Sequence, residues 1–306
     1  MSATAPVYQE EPIWLRVEDE QIFGVWTTPL SDPSGVAIVL LTGGAWVPSV
    51  NRNRLWVKLA RELAAHGHAS IRLDYHGVGE STGNLIGYRL VDLQPDLLSC
   101  LRWVKEQGHE EVFVLGACFG ARLAMSIVPL SDDISGLILL APPVWDSEGA
   151  SGNLVVGAKL KGLSKADLLR RLTDKRQRLV LRRVLSGRAQ SMWRKARAGR
   201  GPSSTVDQKI GPNFLRSMAR IVAERLPTVL VYGAEEPMYQ DYVEARRGRL
   251  GKIMQGTDQL IRMEMLGTPV HRLLPVKVQD EVVREAPRWV MELRDSRRDH
   301  DEEAMA

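Results

Sequence analysis

Apolar residues along the chain keep two rhythms. Across residues 36–41, 112–115, 134–141 and 227–233 nearly every side chain is apolar, and glycine or proline soon closes each run. Such runs predict short strands buried on both faces. Between them the apolar positions recur every three or four residues, as at Leu55, Leu59 and Leu63. That spacing predicts helices over 53–65, 90–107 and 277–294, and another running from about 119 to 130. Residues 70–75 and 260–266 complete the set of core strands, and 13–17 with 22–26 reads as an antiparallel pair. His66 and His68 flank Gly67, which closes the first helix, and both are expected at the surface.

Strands alternating with helices predict one α/β domain, a mostly parallel sheet with helices on both faces. The pattern changes between 146 and 225. There Ser164 and Asp167 mark a helix start, followed by leucines interleaved with arginines. The expected organisation is a first core part over 1–145, a basic helical lid over 146–225, a second core part over 226–296, and a charged, fraying tail over 297–306.

Composition narrows the class only slightly. With 306 residues, 44% hydrophobic and 25% charged, the chain matches ordinary soluble globular proteins. No apolar run nears the roughly 18 residues that cross a bilayer. The first residues lack the basic-then-apolar pattern of a signal peptide, so a cytoplasmic location is expected. Two cysteines make no disulfide framework, and Cys100 lies in a helical pattern where it reads as packing. Charge changes the picture more. Residues 159–200 hold fifteen Lys/Arg against two acids, a net +13, while the whole chain carries only +4. A basic segment is set into an acidic body.

The candidate chemistry centres on Gly116-Ala117-Cys118-Phe119-Gly120. A strand precedes it and a helix follows, so the apex residue is forced outward at the C-terminal edge of the sheet. A cysteine there needs a base and an acid to orient it, because an unassisted thiol is only a few per cent thiolate at neutral pH. Of six histidines, His271 fits the base best, since it follows the last strand and precedes the last helix. His76, in the glycine-rich loop 74–81, reads as a structural or substrate contact, and Trp46 as a second substrate contact. The acid is expected after strand 227–233, with Glu236 preferred and Glu235 or Asp241 as alternatives. Asp74 reads as a loop residue that holds backbone N–H groups. Oxyanion donors are expected from the amide of Phe119, at a helix N-terminus, and from Gly44. No metal or cofactor is required.

The order Cys118, Glu236, His271 resembles the nucleophile–acid–histidine order of the α/β-hydrolase fold. The loop Asp74-Tyr75-His76-Gly77-Val78-Gly79-Glu80-Ser81 is similar to that superfamily's D-x-R-G-x-G-x-S, and Tyr232-Gly233 with Glu236-Pro237 extends the likeness to residues 10–295. Within the superfamily the chain looks like stand-alone cysteine-elbow hydrolases of actinobacterial-type polyketide and polysaccharide pathways, and dienelactone hydrolases share the cysteine elbow. The resemblance implies ester or thioester hydrolysis, or acyl transfer, through a Cys-His-Glu triad. Three positions depart from the common pattern: cysteine for serine, glutamate for aspartate, and Thr42-Gly43 for His-Gly. Some relatives are thought to eliminate a carboxylate, such as acetate, from a tetronate intermediate, so a lyase is the rival enzyme. A non-catalytic binding protein on the same fold is the third reading.

The basic segment reads first as a lid. Its alternative is a docking surface for an acidic acyl carrier protein or for coenzyme A. Nucleic acid is disfavoured because Trp193 is the segment's only aromatic, and a membrane surface comes last.

Overall fold

A computed structural model describes residues 7–84, 89–145, 206–207, 209–234, 236–267, 270, 273 and 275–305. The expected lid helix, Glu235 and His271 lie outside the described residues. The strands are β1 Tyr8–Val17, β2 Glu20–Pro29, β3 Val36–Leu41, β4 Ala69–Leu73, β5 Glu111–Ala117, β6 Gly136–Leu140, β7 Thr228–Gly233 and β8 Ile261–Leu266. They form one sheet in the order β1-β2-β4-β3-β5-β6-β7-β8. Pairing is antiparallel for β1–β2 and β2–β4 and parallel from β4 to β8. This is the mostly parallel sheet that the alternation of periods predicts, in the α/β-hydrolase arrangement that the resemblance implies.

The described helices are α1 Leu55–Ala65, α2 Leu90–Glu106, α3 Phe119–Ile127, α4 Pro212–Ala223, α5 Pro237–Arg246, α6 Arg249–Ile253 and α7 Val276–Met305. Strands β3, β4, β6 and β7 are buried along their whole length, as helices on both faces require. At the sheet's edge β8 instead alternates, with Met263 and Met265 turned to solvent.

Helix α4 falls within the span read from sequence as lid, yet it belongs to the core. Pro212 opens it, and Phe214, Leu215, Met218 and Ile221 are buried on one face against the body of the domain. Helix α7 continues to Met305 through the segment expected to fray. No glycine or proline interrupts its last fifteen residues. Nearer its middle, Arg288 bridges Glu285 and Glu292 on the helix and Glu264 on β8.

Topology creates the crevice. From β3 the chain crosses through α1 to β4, and from β5 it crosses through α3 to β6 on the other side. Adjacent strands whose crossovers diverge leave a gap beyond their C-terminal ends. Backbone packing there is tight. A Cβ on Gly116 would lie 2.5 Å from the backbone of Gly120, and one on Gly120 would lie 2.6 Å from the carbonyl oxygens of Leu41 and Thr42. The turn between β5 and α3 therefore seats directly on the end of β3, with room for hydrogen only.

His68 corrects the expectation of a surface residue. It is 3% exposed, because the chain turns inward at Gly67 (φ 81°) to enter β4. Its Nδ1 lies 2.8 Å from Ser34 Oγ, and Nε2 is buried without a partner among the described residues. Burial, reinforced by the nearby His66 and Arg294, lowers its pKa from 6.5 to about 4. Cys100 is fully buried, and burial pushes its thiol well up, which suits packing and not nucleophilic chemistry.

Two outcomes follow for stability. The unfolded chain binds a proton at His68 that the folded chain refuses, so this contribution is complete above pH 6.5 and is lost as pH falls toward 4. The loss is about 3 kcal/mol, and urea midpoints between pH 7 and pH 4.5 read it. His68→Gln should flatten that part of the profile; an unchanged pH dependence would refute the assignment. Gly120→Ala should cost about 3 kcal/mol or more, because only backbone can yield. Gly267→Ala, which meets open space, is the control. Equal urea midpoints for the two variants would contradict the packing argument.

Candidate active site

Cys118 sits at the apex between β5 and α3 with φ 45° and ψ −102°. A positive φ is unfavourable for a residue carrying Cβ, so the fold must hold it there. It does so through backbone bonds on both sides: Cys118 N donates to Leu140 O at 2.8 Å, and Arg122 N donates to Cys118 O at 3.2 Å. The side chain is half-buried. Phe119 is the first residue of α3, and its amide has no intrahelical acceptor. A helix N-terminus thus faces the space beside the sulfur, and its dipole favours developing negative charge there.

The loop after β3 forms the opposite wall. A Cβ on Gly43 would come 3.8 Å from Cys118 Cβ, so these two loops are in direct apposition. Thr42 shapes the loop from beneath. Its buried hydroxyl lies 3.2 Å from Gly44 O and 3.1 Å from Val47 O, sharing one proton between two acceptors. Val47 N also donates to Gly44 O, at 3.0 Å. With its carbonyl held by these two donors, Gly44 has its peptide orientation fixed. Tyr75 donates to Thr42 O at 3.4 Å and packs edge-on to Phe119, with ring centroids 6.3 Å apart. Cys118, Phe119 and the Gly43-Gly44 loop are therefore brought together. Sequence reasoning missed the part played by Thr42, which it noted only as a departure from the common pattern.

Glu236 lies at the end of β7, at the N-cap of α5, and is fully buried. Its Oε2 accepts from Gly233 N at 2.9 Å and from Val270 N at 3.3 Å. Its Oε1 is equally buried and has no partner among the described residues. The carboxylate is thus anchored on one oxygen to the chain immediately before position 271, and its other oxygen remains available for a donor.

Two further acids are buried beside the loops at this edge. Asp74 accepts from Ser49 N at 2.5 Å and from Glu80 N at 3.1 Å, the loop-holding role expected of it. Gly79 permits this, since a Cβ there would lie 1.9 Å from Asp74 Oδ2. Asp96 accepts from His76 N at 2.9 Å and lies 3.1 Å from His76 Nδ1. The hydrogen bond to Asp96 leads the influences that raise the pKa of His76, outweighing partial burial of the ring. His76 is thus tied to α2. Asp96 was not singled out in the sequence, but an acid on the apolar stripe of Leu93, Leu97 and Cys100 was a readable signal. Trp46 stands exposed just beyond Gly44.

Among the described residues, no group of three or more His, Cys, Asp or Glu is arranged to hold a metal ion. Likewise, none of the described helices is long and apolar enough to cross a membrane.

Known structures share this architecture. An α/β-hydrolase from Penicillium sp. sh18 superposes with a TM-score of 0.62 at 17% identity, covering 94% of this chain and 99% of that one. An esterase of Pyrococcus furiosus gives 0.57 at 14% identity over 93% and 91%. The thioesterase domain from the curacin biosynthetic pathway gives 0.57 at 16% identity over 92% and 99%. No curated protein matches the chain. A family model described as serine aminopeptidase, S33 matches residues 53–247, a span that includes both the elbow and Glu236. That match covers more than half of the sequence, and the chain belongs to this family of α/β-fold hydrolases.

Proposed function

We propose that the protein is an acyl hydrolase or acyltransferase that works through a cysteine nucleophile on an ester or thioester. The observation that carries this reading is the backbone of Cys118, held at φ 45° between a strand and a helix N-terminus. Strain of this kind persists only where surrounding structure over-determines it, and it presents the sulfur beside the first amides of α3. Cys118 Sγ attacks the acyl carbon while its proton passes to His271. The amides of Gly44 and Phe119 receive the carbonyl oxygen as it becomes an oxyanion. The bond to the leaving alcohol or thiol breaks as His271 returns the proton to it. Water, or an acyl acceptor, then releases the acyl group from sulfur. Glu236, through the Oε1 that no other described residue engages, orients and stabilises the imidazolium.

Several features favour a thioester. A thiolate is a good leaving group as well as a good nucleophile, so thioester exchange at sulfur is nearly balanced in energy. Fold likeness to a thioesterase domain and to an esterase is consistent with either acyl donor. The +13 carried by residues 159–200 would attract an acidic acyl carrier protein or a phosphorylated donor, raising on-rate more than affinity. These features accord with a place in a secondary-metabolic pathway.

Incubation with p-nitrophenyl acetate should give a burst of p-nitrophenol and one acetyl group on Cys118 by intact mass. Cys118→Ala should give neither. Glu236→Gln should lower the burst rate roughly 10³-fold while leaving the unfolding midpoint within about 2 kcal/mol of the parent. A folded protein whose Cys118 stays unmodified by activated esters and thioesters would sink the reading.

A further inference from the structure

Gln279 is fully buried near the start of α7, far along the chain from the nucleophile. Its Nε2 donates to Leu273 O at 2.6 Å, and its Oε1 accepts from Asn53 Nδ2 at 3.3 Å. A carbonyl oxygen can only accept, so the orientation of this amide is fixed by its chemistry. Leu273 has φ 48°, a conformation that needs external support in a branched residue. It is also tied back to the preceding segment, Leu273 N donating to Val270 O at 3.0 Å. Val270 N in turn donates to Glu236 Oε2.

The described residues on either side of positions 271 and 272 are therefore held by two buried side chains. Glu236 grips Val270 and Gln279 grips Leu273. The second grip extends further. Asn53 has φ 55° and stands in the short turn Arg52–Arg54 that leads into α1. That turn follows the loop carrying Gly43, Gly44 and Ser49, and Asn51 N donates to Pro48 O at 2.9 Å. One amide thus couples the oxyanion-side loop to the segment that bears His271.

We propose that Gln279 is a positioning residue for the catalytic base, through its bridge between Leu273 and Asn53. The inference rests on the reading of His271 as the base. Its chemistry is geometric: an ångström of displacement at the base weakens proton transfer from sulfur without removing any reacting group.

The test uses Gln279→Met, of similar shape but without hydrogen-bonding groups, in the full-length protein. The acylation burst with p-nitrophenyl acetate should slow about 10- to 100-fold, with KM changed less than about threefold. The pH at which alkylation by iodoacetamide reaches half its maximal rate should rise toward the ordinary thiol value of about 8.5. A purely structural role would shift the unfolding midpoint and leave that pH unchanged. Gln279→Glu should recover activity relative to Gln279→Met as pH falls, because a protonated carboxyl again donates to Leu273 O. Should Gln279→Met not fold, Asn53→Asp carries the test. Asn53 is exposed, and aspartate tolerates its backbone conformation. The new carboxylate would draw Nε2 away from Leu273 and slow the burst about 3- to 10-fold. His271→Ala separates the two levels. If it abolishes the burst while the Gln279 and Asn53 variants keep the parental burst and pH profile, only this inference falls. If His271→Ala keeps the parental burst, both fall.

Discussion

The close approach of bare backbone at the elbow governs the rest of the structure. Gly116, Gly120 and the last residues of β3 meet at distances that leave no space for a methyl group. That contact forces Cys118 into a positive φ and lays the start of α3 across the end of β3. Nothing at the centre of this contact is a side chain. Its specificity comes from what is missing, and van der Waals contact with peptide groups replaces packing between residues. The sulfur, the first amides of α3 and the Gly43-Gly44 loop then become neighbours without further help.

Much of this was legible in the chain. Wholly apolar runs imply strands covered on both faces, and the sheet has them at β3, β6 and β7. The paired glycines around Cys118 announced the elbow, because few other motifs need positions without Cβ two residues before and two residues after an apex between strand and helix. Asp74 was readable as a loop anchor. Less legible were features that depend on what packs from elsewhere. His68 follows a helix-ending glycine, a local signal for the surface, but α7 and Ser34 close over it. Helix α4 carries its signal openly, a proline at the start and apolar residues at 214, 215, 218 and 221, yet the basic stretch before it draws the whole span into one reading. Gln279 gives no local sign at all. Its partners lie on two different loops, and only the folded chain brings them together.

The buried carboxylates at the C-terminal edge of the sheet carry the argument one step further. A carboxylate removed from water is costly unless donors surround it. Asp74 meets that demand with a backbone amide on each oxygen and Asp96 with the His76 amide and ring, and the two staple the loops after β3 and β4. Glu236 meets it with one oxygen only and leaves the other buried and unpartnered among the described residues. A purely structural staple gains nothing from an idle oxygen, since an unsatisfied buried acceptor costs about 1–3 kcal/mol. An acid that must receive an N–H from a neighbouring ring has reason to keep one. The same asymmetry explains why glutamate suits this position. Its extra methylene lets Oε2 reach back to Gly233 N within its own turn and across to Val270 N, while Oε1 stays clear of both. Three acids of like burial thus divide by what meets their second oxygen: a backbone amide at Asp74, the His76 ring at Asp96, and no described group at Glu236.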